Sequence, residues 1–249
     1  MGHTLQRTRS ADGGRAHFDT THWSQVLAAG GTTCAESREA LASLCRRYWY
    51  PVYAYARRHG VKADEAADLT QGFFARVIEQ KIVRGADRGR GKFRSYLLGA
   101  FKHYLSHEWA KARAQKRGGG RKLIPLDPAW AEQRYGLEPV HEVTAERLFE
   151  RQWALRLLEL TLEDLAARCG REGKARQFEL FKPFLSGGSG TAYREAGAEL
   201  GLSEGAARVV VHRLRARYRQ LLRDHIRQTV AAQEQVEEEI QHLFNAVGA

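Results

Sequence analysis

Between Tyr193 and His225 the chain reads YREAGAELGLSEGAARVVVHRLRARYRQLLRDH, and no other stretch constrains the fold as much. Tyr193 to Leu200 predicts a short helix that Gly201-Leu202 stops. Ser203 restarts it, as an N-cap whose hydroxyl can accept from the free amides of the next first turn. In the second helix Ala207, Val210, Val211, Leu214, Tyr218, Leu221 and Leu222 recur at steps of three and four, which makes one apolar stripe. Glu204, Arg208, His212, Arg215 and Arg219 fill the opposite face. Two short helices across a glycine-containing turn, the second with a cationic outer face, form the pattern of a helix-turn-helix.

Nothing elsewhere alternates apolar and polar residues as a strand would, and there are only 5 prolines, so an all-α fold is expected. A length of 249 residues accommodates one or two domains, each with an ample core. The formal net charge of +11 points to a polyanionic partner. Cys34, Cys45 and Cys169 stand singly, without a CxxC or Cys/His cluster. That excludes a structural zinc as an expectation and suits a reducing compartment. No cofactor or metal is expected. No stretch is apolar enough to span a bilayer, so no membrane contact is expected and a cytoplasmic location is.

Taken in order, residues 1–17 read as a polar, glycine-rich disordered tail, with order starting near Phe18. A helix is expected from Glu36 to His59, with Leu41, Leu44, Cys45, Tyr48, Trp49, Val52 and Ala56 on one face and Pro51 kinking or interrupting it. Another runs from Asp64 to Gln80, burying Ala66, Leu69, Phe73, Phe74 and Val77 and exposing Asp68, Gln71, Arg76 and Glu79. From Arg84 to Lys122 there are twelve Lys or Arg against two acids, interleaved with Phe93, Tyr96, Phe101, Tyr104 and Trp109. Cations neutralise phosphates and ring faces stack on unpaired bases, although helical spacing sends most of these rings to the core. Residues 115–143, with Pro125, Pro128 and Pro139, read as a long linker that carries a short aromatic segment around Trp130 and Tyr135. Thr144 opens a long amphipathic helix, and Ala175 to Leu185 a short one. Residues 229–249 form an acidic amphipathic extension whose stripe must be buried against this chain or a partner.

With these pieces in place, the chain resembles a bacterial RNA polymerase sigma factor of the sigma-70 family, in its small two-domain extracytoplasmic-function group. The Asp68–Arg76 run DLTQGFFAR is similar to that family's polymerase-clamp contact, Phe93–Leu98 (FRSYLL) to its −10 region, and Tyr193–His225 to its −35 reader. The resemblance implies two helical domains, residues 18–114 and 144–228, joined by the linker. It implies core RNA polymerase (clamp and flap) and promoter DNA as partners, an anti-sigma or other regulatory protein as a third, and no enzymatic activity. Carried over residue by residue, it assigns Glu65, Asp68, Gln71 and Phe74 to polymerase. Arg94, Tyr96, Lys102, His103, Lys111 and Arg113 go to the −10 element, and Ser203, Glu204, Arg208, His212, Arg213 and Arg215 to the −35 element. Arg208 and His212 are the base-reading candidates, Glu204 a candidate acceptor from cytosine, and Arg213, Arg215, Arg217 and Arg219 phosphate contacts or solvated charge. The chain departs from the family pattern at Tyr96, often Trp, and at Lys102-His103, where Asn is frequent, so the −10 sequence does not transfer.

Two other function classes fit parts of the sequence. A stand-alone helix-turn-helix regulator needs a dimer face and no polymerase contact. A nuclease or integrase needs clustered carboxylates, and the basic block offers only Asp87, Glu108, His103 and His107; His107 and Glu108 are adjacent and do not share a helix face. For the acidic extension two readings stand: its glutamates fold back on a DNA-binding surface, or the helix only packs its stripe.

Overall fold

The computed structural model describes residues 34–79, 92–114, 129–138, 143–186, 190–230 and 232–248, and among them there is helix and no strand. The α-helices are α1 (Cys34–Arg58), α2 (Ala63–Glu79), α3 (Phe93–Ala114), α4 (Ala129–Tyr135), α5 (Ala145–Arg171), α6 (Ala175–Phe181), α7 (Gly190–Ala198), α8 (Glu204–Arg227) and α9 (Val236–Gly248). Short 3₁₀ turns at Lys182–Leu185 and Gln233–Gln235 follow α6 and precede α9. The tail expected over residues 1–17 and most of the 115–143 linker lie outside the described residues.

Helix α1 is the axle of the larger core. Every residue from Tyr48 to Ala56 is buried, which a helix achieves only when neighbours cover it all round. Helix α5 packs along it most extensively, with α2 and α4 on other sides and the rings of Phe93 and Phe101 from α3 edge-on to Tyr48 and Tyr55. The single buried face expected for this helix is therefore too narrow a reading. Pro51 lies inside a continuous helix and does not interrupt it, because contacts from several sides offset the missing backbone donor.

The apolar residues form two clusters, and packing does not divide at residue 144. The first joins α1, α2 and α3 with Ala131 of α4, the amino-terminal half of α5, Leu222 and Ile226 at the end of α8, and Val236 and Leu243 of α9. The second joins Leu165 and Cys169 of α5 with Phe178, Phe181 and Phe184, Tyr193 of α7, and Ala207, Val211, Leu214 and Leu221 of α8. Helices α5 and α8 thus run through both, and Tyr218 packs against each while its hydroxyl donates to the Leu158 carbonyl at 3.2 Å. Nearby, His225 Nε2 lies 2.8 Å from the Asp164 carboxylate, and that contact holds Asp164 below the usual carboxylate range.

Local signals explain the helix boundaries that matter here. Thr144 caps α5, its hydroxyl accepting from the Arg147 amide at 3.2 Å. Helix α4, inside the expected linker, is fixed to α1 through Glu132, which accepts from Tyr53 at 2.5 Å and from both arms of Arg57 at 2.6 and 2.9 Å. Arg57 in turn pulls the Glu132 carboxyl below its ordinary value.

Candidate nucleic-acid interface

Helices α7 and α8 meet as a helix-turn-helix. Gly201 holds φ +67° in the turn, and a Cβ on Gly197 would come within 2.9 Å of the Leu202 carbonyl and 3.2 Å of Ala207 Cβ, so the crossing needs glycine there. Ser203 caps α8, its hydroxyl accepting from the Ala206 amide at 3.3 Å. Ala207, Val211 and Leu214 face inward, which leaves Gly205, Arg208, Val209, His212, Arg213 and Ala216 exposed along the outer side. The middle of that strip is small, with cations at its edges, a profile that lets a helix enter a major groove closely. Val209, half exposed on this strip, was missed by sequence reasoning. The signal was its place one residue from Arg208 and three from His212, where a branched methyl can meet a thymine methyl.

Three of the six residues expected at this surface stand differently from that expectation. Arg215 turns inward and donates from Nε and Nη2 to the Phe184 carbonyl at 3.2 and 2.7 Å, so it braces the 3₁₀ turn against α8. Glu204 accepts from Arg208 at 2.8 and 3.1 Å and faces Arg194; Arg208 first, and Arg194 after it, lower its carboxyl pKa, and the acceptor offered to a base is occupied. Ser203 spends its hydroxyl on the cap. Arg208, whose guanidinium also sits 5.4 Å from the Tyr193 ring centroid, His212 and Arg213 remain at the surface.

Helix α3 supplies the second surface. Phe93, Leu97, Phe101 and Leu105 follow one another at steps of four and are buried, while Lys102, His103 and Lys111 are exposed. Tyr96 and Tyr104 are half-buried. Tyr104 runs past α2 where Gly72 leaves room, since a Cβ there would lie 2.5 Å from the Tyr104 hydroxyl; burial lifts that phenol to about 12. Lys102 pairs with Glu146 of α5 at 2.8 Å and Lys111 with Glu108 at 2.6 Å, both at the surface, where such pairs are weak and yield to competing anions. The backbone of Arg113 belongs to α3, and its side chain lies outside the described residues. On α2, Glu65 and Asp68 are exposed and Gln71 is half-buried. Phe74 is not available to a partner: it is 6% exposed and packs edge-on to Phe73.

The largest departure concerns Arg94. Expected on the surface, it is 3% exposed and enclosed by acids from two other helices. Its Nη1 donates to Glu239 of α9, its Nε to Glu150 of α5 at 2.5 Å, and its guanidinium lies 4.3 Å from the Trp153 ring centroid. Lys92 Nζ adds an ion pair to the other Glu239 oxygen at 2.5 Å, without hydrogen-bond alignment. Burial lowers the Lys92 ammonium pKa. His242, one helical turn beyond Glu239, reaches Glu150 at 3.1 Å. Sequence periodicity could not find this network, because Arg94 and Glu239 are separated by 145 residues.

Among the described residues no group of His, Cys, Asp or Glu is arranged to hold a metal ion, and no helix is long and apolar enough to cross a membrane. Comparison of the chain with known protein families, with curated proteins and with solved structures returns no match.

Proposed function

We propose that this chain is a sigma-type initiation factor, which binds core RNA polymerase and directs it to promoters at two points. The observation that carries the reading is the helix-turn-helix of α7 and α8, with Arg208, Val209, His212 and Arg213 on the open side of a capped second helix. That side suits a duplex element read through the major groove. Helix α3 suits an opened element: Lys102, His103 and Lys111 lie outside, with Tyr96 at the edge of the core. The exposed carboxylates Glu65 and Asp68 on α2 suit a protein contact that does not compete for DNA phosphate.

Run-off transcription with core polymerase and genomic templates tests the reading directly. Start sites absent with core alone are expected with the protein added, and Asp68→Ala combined with Gln71→Ala is expected to reduce them by weakening polymerase binding. Transcripts at the core-only background would refute the assignment. Sequence-specific duplex binding retained in that case would instead mark a stand-alone helix-turn-helix regulator.

A further inference from the structure

The start of α3 is electrostatically incomplete without α9. Lys92 and Arg94 sit at the amino-terminal end of a 22-residue helix that has no acidic residue in its first turn. Two cations therefore share the positive end of a helix dipole, an arrangement that calls for an anion. In this structure the anion is the carboxylate of Glu239, fully buried and engaged by both cations. Glu150 takes the remaining side of Arg94.

Helix α9 is held over this site by an apolar stripe, in which Ile240, Ala246 and Val247 pack against the larger core, and by surface polar contacts. Val236 and Leu243 insert into the larger core, His242 meets Glu150, and Glu237 meets Arg223 of α8 at 3.0 Å on the surface. With α9 in place, two positive and two negative groups balance. With α9 displaced, Lys92 and Arg94 face solvent against Glu150 alone, at the head of the helix that carries Lys102, His103 and Lys111.

We propose that α9 is an internal competitor of nucleic acid: Glu239 occupies the seat on Lys92 and Arg94 that a backbone phosphate takes when α9 moves away. The free protein thereby withholds this cation pair from DNA until something displaces α9. The proposal rests on the assignment of α3 to the opened promoter element.

A polymerase-free assay separates the two ideas, because a chain inert in run-off transcription still reports on α9. Binding of the full chain to a fluorescent, random-sequence single-stranded oligonucleotide is measured by anisotropy across a salt series. The variants are Glu239→Gln, which removes the competing charge, and Leu243→Ala, which loosens α9 with no change in charge. Each is also combined with Arg94→Gln. Both single variants are expected to bind more tightly than the parent, with a log–log salt slope steeper by about 0.7 for the one added phosphate contact. Arg94→Gln is expected to remove about half of that gain. Circular dichroism establishes folding, and should Glu239→Gln not fold, Leu243→Ala decides alone. A folded variant with parental affinity and slope, or a gain left undiminished by Arg94→Gln, overturns the proposal. A purely structural Glu239 lowers stability and leaves DNA affinity unmoved, which is the same refutation.

Discussion

The two ends of the molecule treat their cations in opposite ways. At the helix-turn-helix, Arg208 and Arg213 stand on the surface of α8, and the acid paired with Arg208, Glu204, is its own i−4 neighbour. At the head of α3, Arg94 is sealed between Glu239 and Glu150, which come from helices far along the chain. The first arrangement costs little to rearrange, since exposed pairs contribute about 0–1 kcal/mol. The second couples charge to the packing of α5 and α9, so altering it disturbs the core. One end leaves its cations at the surface, and the other neutralises them within the fold.

The largest test of this contrast is a pair of substitutions at the two arginines. Arg94→Met should destabilise the protein by about 3–5 kcal/mol in denaturant unfolding, because Glu239 is left buried without its guanidinium. Adding Glu239→Gln should recover much of that loss. Arg208→Ala should change stability by no more than about 0.5 kcal/mol. Equal effects at the two sites would erase the distinction.

A smaller effect is expected where α7 crosses α8. Gly197→Val forces a side chain against the Leu202 carbonyl and Ala207, at a cost of about 1–3 kcal/mol in thermal unfolding. A neutral result would mean that the crossing is looser than the distances indicate. Ser203→Ala removes the α8 cap and should cost about 1 kcal/mol by the same measurement.

The smallest effect is a pH dependence at the surface of the second cluster. Lys174 and Arg217 hold the Glu172 carboxyl down to about 2 from 4.5. A depressed acid stabilises the fold above its unfolded pKa, so this contribution is whole above about pH 4.5 and is lost as pH falls toward 2. Glu172→Gln should flatten that part of the acid-unfolding curve, and an unchanged curve would remove the pair from the stability account.

Much of the second cluster was legible in the sequence, because α8 is amphipathic and only one of its sides is covered. The spacing of Ala207, Val211, Leu214, Leu221 and Leu222 identified its buried stripe, and Ser203 its start. The first cluster was less legible for a physical reason. Periodicity reports a helix's preference for one covered side, and α1 is covered on all of them by elements that its own residues do not specify. Arg215 was misplaced because an outward-looking position can still reach a carbonyl in a neighbouring turn. Arg94 was misplaced because local sequence carries no record of what α5 and α9 bring to it, whereas Phe74 was read as buried from its spacing and given to polymerase only by the resemblance.

The distance along the chain between Arg94 and Glu239 also sets a schedule. At about 5–20 residues per second, the 145 residues that separate them take roughly 7–30 s to synthesise. Once Lys122 has been added, the nascent chain carries the whole basic block for the rest of that interval, with its larger core still lacking Val236 and Leu243. Its attraction for polyanions is therefore greatest before it is finished, and the last helix to emerge both completes the core and neutralises the head of α3.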